Sequence, residues 1–205
     1  INCLINNAST FELDNIHNIE KKKWEYHLNT NVWAPIFLIK QFVKNLPNKM
    51  SGNIINIVDQ RVVNLTPFFT TYTLTKSMLW TLTQTLALAL APKIKVNAIG
   101  PGPTFPSRRQ TSRQFKNQYR RIPLKKAVDP NEIAEAVLFI LSSNSLTGQL
   151  INIDAGQHLG WAHADNKKII VPDATLKSLL GVKDGDEVTY FNLQRLMNQH
   201  FVKKT

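Results

Sequence analysis

Tyr72 and Lys76 stand four residues apart near the start of a long apolar helical pattern, and Asp59 precedes the tyrosine by thirteen. On a helix the first spacing places both side chains on one face, one turn from each other. An ammonium beside a phenol favours the phenolate. Lys76 is therefore expected to lower the Tyr72 pKa and suit it to donating a proton near neutral pH. Asp59 follows the apolar run Ile54-Ile55-Asn56-Ile57-Val58, which is bounded by Gly52 before and Gln60-Arg61 after. Such a run reads as a strand buried on both faces of a parallel sheet, and its end would bring the carboxyl to the same point in space. A carboxylate accepts hydrogen bonds and donates none, so it cannot polarise a ketone as a hydroxyl does. It suits an amidine-like N–C–NH2 edge, or relays a proton when its pKa is raised.

The elements that must position these groups alternate between strand and helix. Residues 1–6 read as a strand running into the turn Asn6-Asn7-Ala8-Ser9, and 93–98 and 150–154 as further strands. Residues 24–46 carry apolar side chains at helical spacing (Trp24, Leu28, Val32, Ile36, Ile39, Val43) despite Pro35, and 77–90 continue the helix of Tyr72. Gly100-Pro101-Gly102-Pro103-Thr104 follows the third strand at its C-terminal end, the edge where ligands bind in open α/β sheets. The prolines fix that backbone and Gly102 permits close approach. Residues 62–71 would shape a pocket, with Phe68 and Phe69 as either its walls or core. Residues 110–121 would cover it, and Asp129-Pro130 would cap a helix over 131–142.

Composition narrows the classes. No stretch approaches the roughly 20 apolar residues that cross a bilayer, no signal peptide is visible, and the single Cys3 implies a reducing cytoplasm. The net charge of +11 is spread over the chain, dense only at Lys21-Lys22-Lys23 and from Arg108 to Lys126, which argues against a nucleic-acid surface. His17 and His27 lack partners at metal-ligand spacing and read as surface or packing residues; no metal is expected.

In order and spacing, Asn6-Asn7-Ala8-Ser9, Asn31 in NTNVWAP, the strand IINIV, YTLTK and KVNAIGPGPT resemble the short-chain dehydrogenase/reductase family over residues 1–161. Most members carry serine where Asp59 stands, and an aspartate there resembles the branch that reduces pteridines and dihydrofolate. The resemblance implies a doubly wound, Rossmann-type parallel sheet and an NAD(P)H-dependent reduction of a small molecule, possible substrates being pterin-like, dihydrofolate-like, aldehyde or ketone. It gives Tyr72, Lys76, Asp59 and Asn31 catalytic roles, Asn31 by helping to hold a water beside the lysine. It places Asn6, Tyr72, Lys76, Pro101, Gly102 and Thr104 against the cofactor, NADP(H) ahead of NAD(H). It also implies a dimer or tetramer formed through the two long helices, to which Trp80, Leu82, Leu86 and Leu90 would contribute apolar surface.

The family's opening strands and their glycine-rich turn do not occur among the 205 residues, so the sheet is expected to be partial, lacking its first strands. The chain as given is accordingly expected to bind the dinucleotide weakly or not at all. A titration of the 205-residue chain with NADPH checks this, and tight stoichiometric binding would overturn it. Residues 166–205 resemble half of a SWIB domain, a small helical module, through Ile170, Asp173, Leu176, Leu180, Val188, Phe191, Leu196 and His200. A non-catalytic remnant, or an interaction protein acting through that tail, is the alternative function.

Overall fold

A computed structural model describes residues 2–160. The tail at 166–205 lies outside the described residues.

Four strands form one parallel sheet in the order β1 (Cys3–Asn6), β2 (Gly52–Ile57), β3 (Ile94–Pro101), β4 (Leu150–Ile153). The expected partial, doubly wound α/β sheet is what the chain builds. The apolar runs dictate it: Ile54, Ile55, Val96, Ala98 and Ile99 have no exposed surface, as strands covered on both faces require. On one face α2 (Ala34–Asn45) and α3 (Thr70–Leu90) pack Ile39, Leu46 and Ala87 onto Ile54, Ile94 and Val96. On the other, α5 (Pro130–Ser142) packs Ala136 and Ile140 onto Ile55 and Ile99. Asp129 caps α5, its carboxylate accepting from the Asn131 amide at 2.9 Å, with Pro130 in the first turn.

The helical pattern over 24–46 is not one continuous helix. It is α1 (Lys21–Leu28), a π-helical turn at Asn29–Trp33 and then α2. The π turn admits one extra residue per turn and sets Asn31 and Val32 inward, so the apolar periodicity survives while the hydrogen-bond register changes. A short helix α4 (Ser112–Tyr119) occupies the stretch expected to cover the pocket and starts with a Thr111/Gln114 capping box.

The residues expected at a subunit interface also pack within the chain itself. Leu82, Leu86 and Leu90 are half-buried against the chain's own sheet, and Trp80 packs beside Val58, Leu79 and Ala98. The apolar side chains these helices leave exposed are Trp33, Phe37 and Leu38 on the first long segment and Leu74, Met78 and Leu88 on α3. No helix among the described residues is long and apolar enough to cross a membrane.

Candidate active site

The site grows from the carboxyl edge of the sheet. Past the last paired residue of β2, the Val58 amide still donates to the Ile99 carbonyl at 2.8 Å, so the ladder carries the chain to within one residue of Asp59. Asp59 then caps a 3-10 turn (Gln60–Val62): its Oδ1 accepts the Arg61 amide at 2.8 Å. That bond aims the other carboxylate oxygen, Oδ2, at α3, where it accepts the Tyr72 hydroxyl at 2.9 Å. One turn along α3, the Lys76 ammonium donates to the Ile57 carbonyl at 2.8 Å and lies 5.8 Å from the Tyr72 ring centre. The structure thus brings together phenol, ammonium and carboxyl.

Their electrostatics differ from the expectation drawn from spacing. The Tyr72 pKa is not lowered; it is raised well above the usual phenol value, by burial first and then by the charge and hydrogen bond of Asp59. The carboxylate sits within hydrogen-bond distance of the phenol, whereas the Lys76 ammonium is spent on a backbone carbonyl, so the negative neighbour dominates. The cation that favours the phenolate is Arg61. Burial also pushes the Asp59 carboxyl up, against the opposing pull of the Arg61 amide and charge, Tyr72 and Lys76. Lys76, only 2% exposed, is lowered by burial to about 8, with Asp59 pulling the other way.

The start of α3 is held by residues with no sequence pattern to mark them. Phe69 caps the helix in a left-handed conformation (φ 60°) without a side-chain cap of its own. Asp14 substitutes for one, accepting the Phe69 amide at its carbonyl (2.8 Å) and the Thr71 amide at its carboxylate (3.2 Å), a negative charge at a helix N-terminus. His27, fully buried, accepts the Glu12 amide at Nε2 (3.0 Å). Its Nδ1–H is therefore directed to the Thr71 hydroxyl (2.8 Å), which donates on to Asp14. His27 is thus a packing residue with a full set of partners, while His17 is exposed. The network ties the 11–14 loop to α3. It places Phe11 edge-on to Tyr72 (ring centres 4.7 Å apart) and face-to-face with Phe69 (4.4 Å). Phe69 is a wall of this site; Phe68 is exposed.

Asn31 is fully buried and its amide is committed. Oδ1 accepts the Thr10 amide (2.9 Å) and the Ser9 hydroxyl (3.1 Å), and Nδ2 donates to the Thr10 carbonyl and the Thr75 hydroxyl, both at 3.1 Å. The side chain clamps the Ser9-Thr10 turn to α3 and makes no bond to Lys76. Asn6 also turns inward: its amide donates to Asn56 (2.7 Å), which donates to Thr83 (2.8 Å), a buried polar ladder joining β1, β2 and α3. Asn6 thus ties β1 to β2.

Pro101 ends β3 and Gly102 follows, so this loop leaves the sheet at the same edge as Asp59. The close approach at Gly102 is to the chain itself: a Cβ there would meet the Asp154 Cα at 2.6 Å, and the Gly102 amide donates to the Ile153 carbonyl at 2.9 Å. Thr104 donates its hydroxyl to the Gly102 carbonyl at 3.1 Å. For a dinucleotide, the described residues fit the nicotinamide-ribose half. Lys76 gives one of three N–H groups to Ile57, whose register partner Ile99 lies two residues before Pro101, whereas a glycine-rich turn for the pyrophosphate is not in the sequence.

The family model described as enoyl-(acyl carrier protein) reductase matches residues 1–158. The 3-oxoacyl-[acyl-carrier-protein] reductase FabG of Buchnera aphidicola (subspecies Baizongia pistaciae) is 31% identical over 166 residues, covering 78% of this chain and 67% of that protein. NADPH-dependent aldehyde reductase 1 of Arabidopsis thaliana is also 31% identical, covering 76% of this chain and 56% of its own length. Among solved structures, FolM alternative dihydrofolate reductase 1 from Brucella suis, in complex with NADP, superposes with a TM-score of 0.77 at 44% identity. That match covers 78% of this chain and 65% of the FolM chain, so the sequence spans about two thirds of the length of such relatives. With a parallel sheet that delivers phenol, ammonium and carboxyl to one edge, and a family model matched over residues 1–158, the chain belongs to the short-chain dehydrogenase/reductase family.

Proposed function

We propose that this chain is the catalytic part of an NADP(H)-dependent reductase acting on a C=N bond of a pterin- or dihydrofolate-like heterocycle. The observation that carries the reading is the 2.9 Å bond from the Tyr72 hydroxyl to Asp59, a carboxylate where most of the family has serine. The 44% identity to a dihydrofolate reductase of the same family supports it. When bound, the nicotinamide supplies a hydride to the electrophilic carbon. Asp59 orients the ring: each oxygen already accepts one bond, from Arg61 or Tyr72, and each keeps a lone pair for an amidine N–H. Tyr72 turns its hydroxyl from Asp59 to the ring nitrogen and gives up its proton as that nitrogen becomes basic. Its raised pKa keeps it protonated until then. Once the product leaves, Asp59, whose carboxyl is itself pushed up, takes a proton from solvent and passes it to the phenolate across the same hydrogen bond. Arg61 balances the phenolate charge, and Lys76 would hold the ribose of a bound nucleotide with the N–H groups that Ile57 leaves free. Phe11 and Phe69 supply flat apolar walls for a planar ring. The exposed apolar side chains of α2 and α3 would be covered in a homo-oligomer.

The test is Asp59→Ser in a chain preceded by a glycine-rich strand–turn–helix. Dihydrofolate turnover with NADPH should fall by about a hundredfold or more, while reduction of a simple ketone is kept or gained. Unchanged dihydrofolate reduction, or equal loss on both substrates, would rule the reading out.

A further inference from the structure

Arg61 is 9% exposed, and the direct partners of its guanidinium are all neutral. Nη1 donates to the Thr66 hydroxyl at 2.8 Å, and the guanidinium carbon lies 4.7 Å from the Phe69 ring centre and 5.8 Å from that of Phe11. No acidic side chain among the described residues comes within ion-pair distance. A buried cation is costly unless an acceptor with negative charge or a strong dipole faces it, and aromatic faces compensate only in part. Asp59 is close enough for the Arg61 charge to act on its carboxyl, yet the two side chains do not touch. The 3-10 turn sets them two residues apart, with the backbone of Arg61 and the hydroxyl of Tyr72 already fixing the carboxylate. An acceptor-only group and a donor-only group two residues apart, beside two aromatic rings, match one kind of ligand edge.

We infer that Arg61 is a specificity-determining residue that donates to a ring carbonyl of the substrate while Asp59 accepts the neighbouring amidine N–H groups. The pair reads an H2N–C–N–C=O edge, that of a 2-amino-4-oxo heterocycle. The inference rests on the pterin-type reading and goes beyond it by naming the second polar contact. A ligand with an amino group in place of the carbonyl sets donor against donor at Arg61. The guanidinium's five fixed N–H groups also distinguish it from lysine at such a site.

The experiment is titration of the 205-residue chain with pterin (2-amino-4-oxopteridine) and with 2,4-diaminopteridine, followed by ligand fluorescence. Wild type, Arg61→Met and Arg61→Lys are compared. The quantity read is the ratio of the two affinities, because the more basic diamino compound is also attracted by Asp59. In Arg61→Met the ratio should shift against the oxo compound by about tenfold to a hundredfold, the worth of one hydrogen bond to a charged group. In Arg61→Lys it should shift by about threefold or more, and this arm decides if circular dichroism shows Arg61→Met unfolded. An unchanged ratio in the folded variants overturns the role of Arg61 alone. Binding of neither pteridine to the wild type overturns the pterin reading itself, and this inference with it.

Discussion

Tyr72→Phe is expected to lower turnover by about a thousandfold while leaving substrate affinity within a few-fold of the wild type, in a chain that carries a glycine-rich dinucleotide turn ahead of residue 1. The substitution removes one oxygen and keeps the ring that packs edge-on to Phe11, so the walls of the site persist. What disappears is the hydroxyl that the proposed reaction uses as its proton donor. Asp59 cannot replace it directly, because its Oδ1 is held by the Arg61 amide and Oδ2 faces the position of the lost hydroxyl. The variant also deprives Oδ2 of its donor, which removes one of the influences holding the Asp59 pKa down. Steady-state kinetics separates the two effects: a fall confined to kcat supports proton donation by Tyr72. A variant that keeps turnover, or loses only affinity, would remove Tyr72 from the chemistry.

Lys76→Met is expected to stabilise the fold by about 2 to 3 kcal/mol at pH 7 while abolishing activity. Lys76 is 2% exposed, and its pKa falls from 10.5 in water to about 8 in the folded chain. Each unit of that shift corresponds to about 1.4 kcal/mol of preference for the neutral form, and at pH 7 the folded protein bears that cost. The sign follows from linkage. A group whose folded pKa is depressed contributes stability above its unfolded value and loses it as pH falls through the folded value. Wild-type stability should therefore rise between about pH 8 and 10, a rise the methionine variant lacks. Methionine matches the length of the stem and removes the buried charge, at the expense of the bond to the Ile57 carbonyl. Urea denaturation of both chains at pH 7 and pH 9.5 checks the magnitude and the slope. A variant less stable than wild type at pH 7 would mean that the ion is better compensated than its surroundings indicate.

A lysine whose charge is disfavoured by burial, one turn from the phenol proposed as proton donor, fits a functional residue in energetic terms. The same holds for Phe69, a non-glycine residue in the left-handed region at the head of α3, and for Arg61, buried without a direct ion pair among the described residues. Left-handed non-glycine residues also occur away from Tyr72, at Lys125 and Ala155, while much of the remaining chain follows its local preferences. Its central strands β2 and β3 are rich in isoleucine and valine and buried on both faces, and α4 and α5 begin with capping residues that bond as their sequences suggest.

The convergence of Asp59, Tyr72 and Lys76 was legible in the residues alone. Two periods suffice for it: the helix sets Lys76 one turn beyond Tyr72, and a doubly buried strand must discharge Asp59 at the sheet edge where α3 begins. The parallel sheet was legible for the same reason, since continuous apolar runs separated by helical segments admit few other arrangements. Asp14, His27, Phe11 and Arg61 were not legible. Their roles depend on contacts such as Asp14 to Thr71, 57 residues apart and made from an aperiodic loop. Nor did spacing decide the direction of the Tyr72 shift, because a pKa answers to depth and to the nearest charge. Which of Asp59 and Lys76 stands nearer the phenol is settled by a 2.9 Å bond formed only when strand end and helix are packed together. Sequence by itself determined which chemical groups meet; tertiary structure decided their order of approach, because distance and burial belong to the packed chain and not to the spacing of its residues.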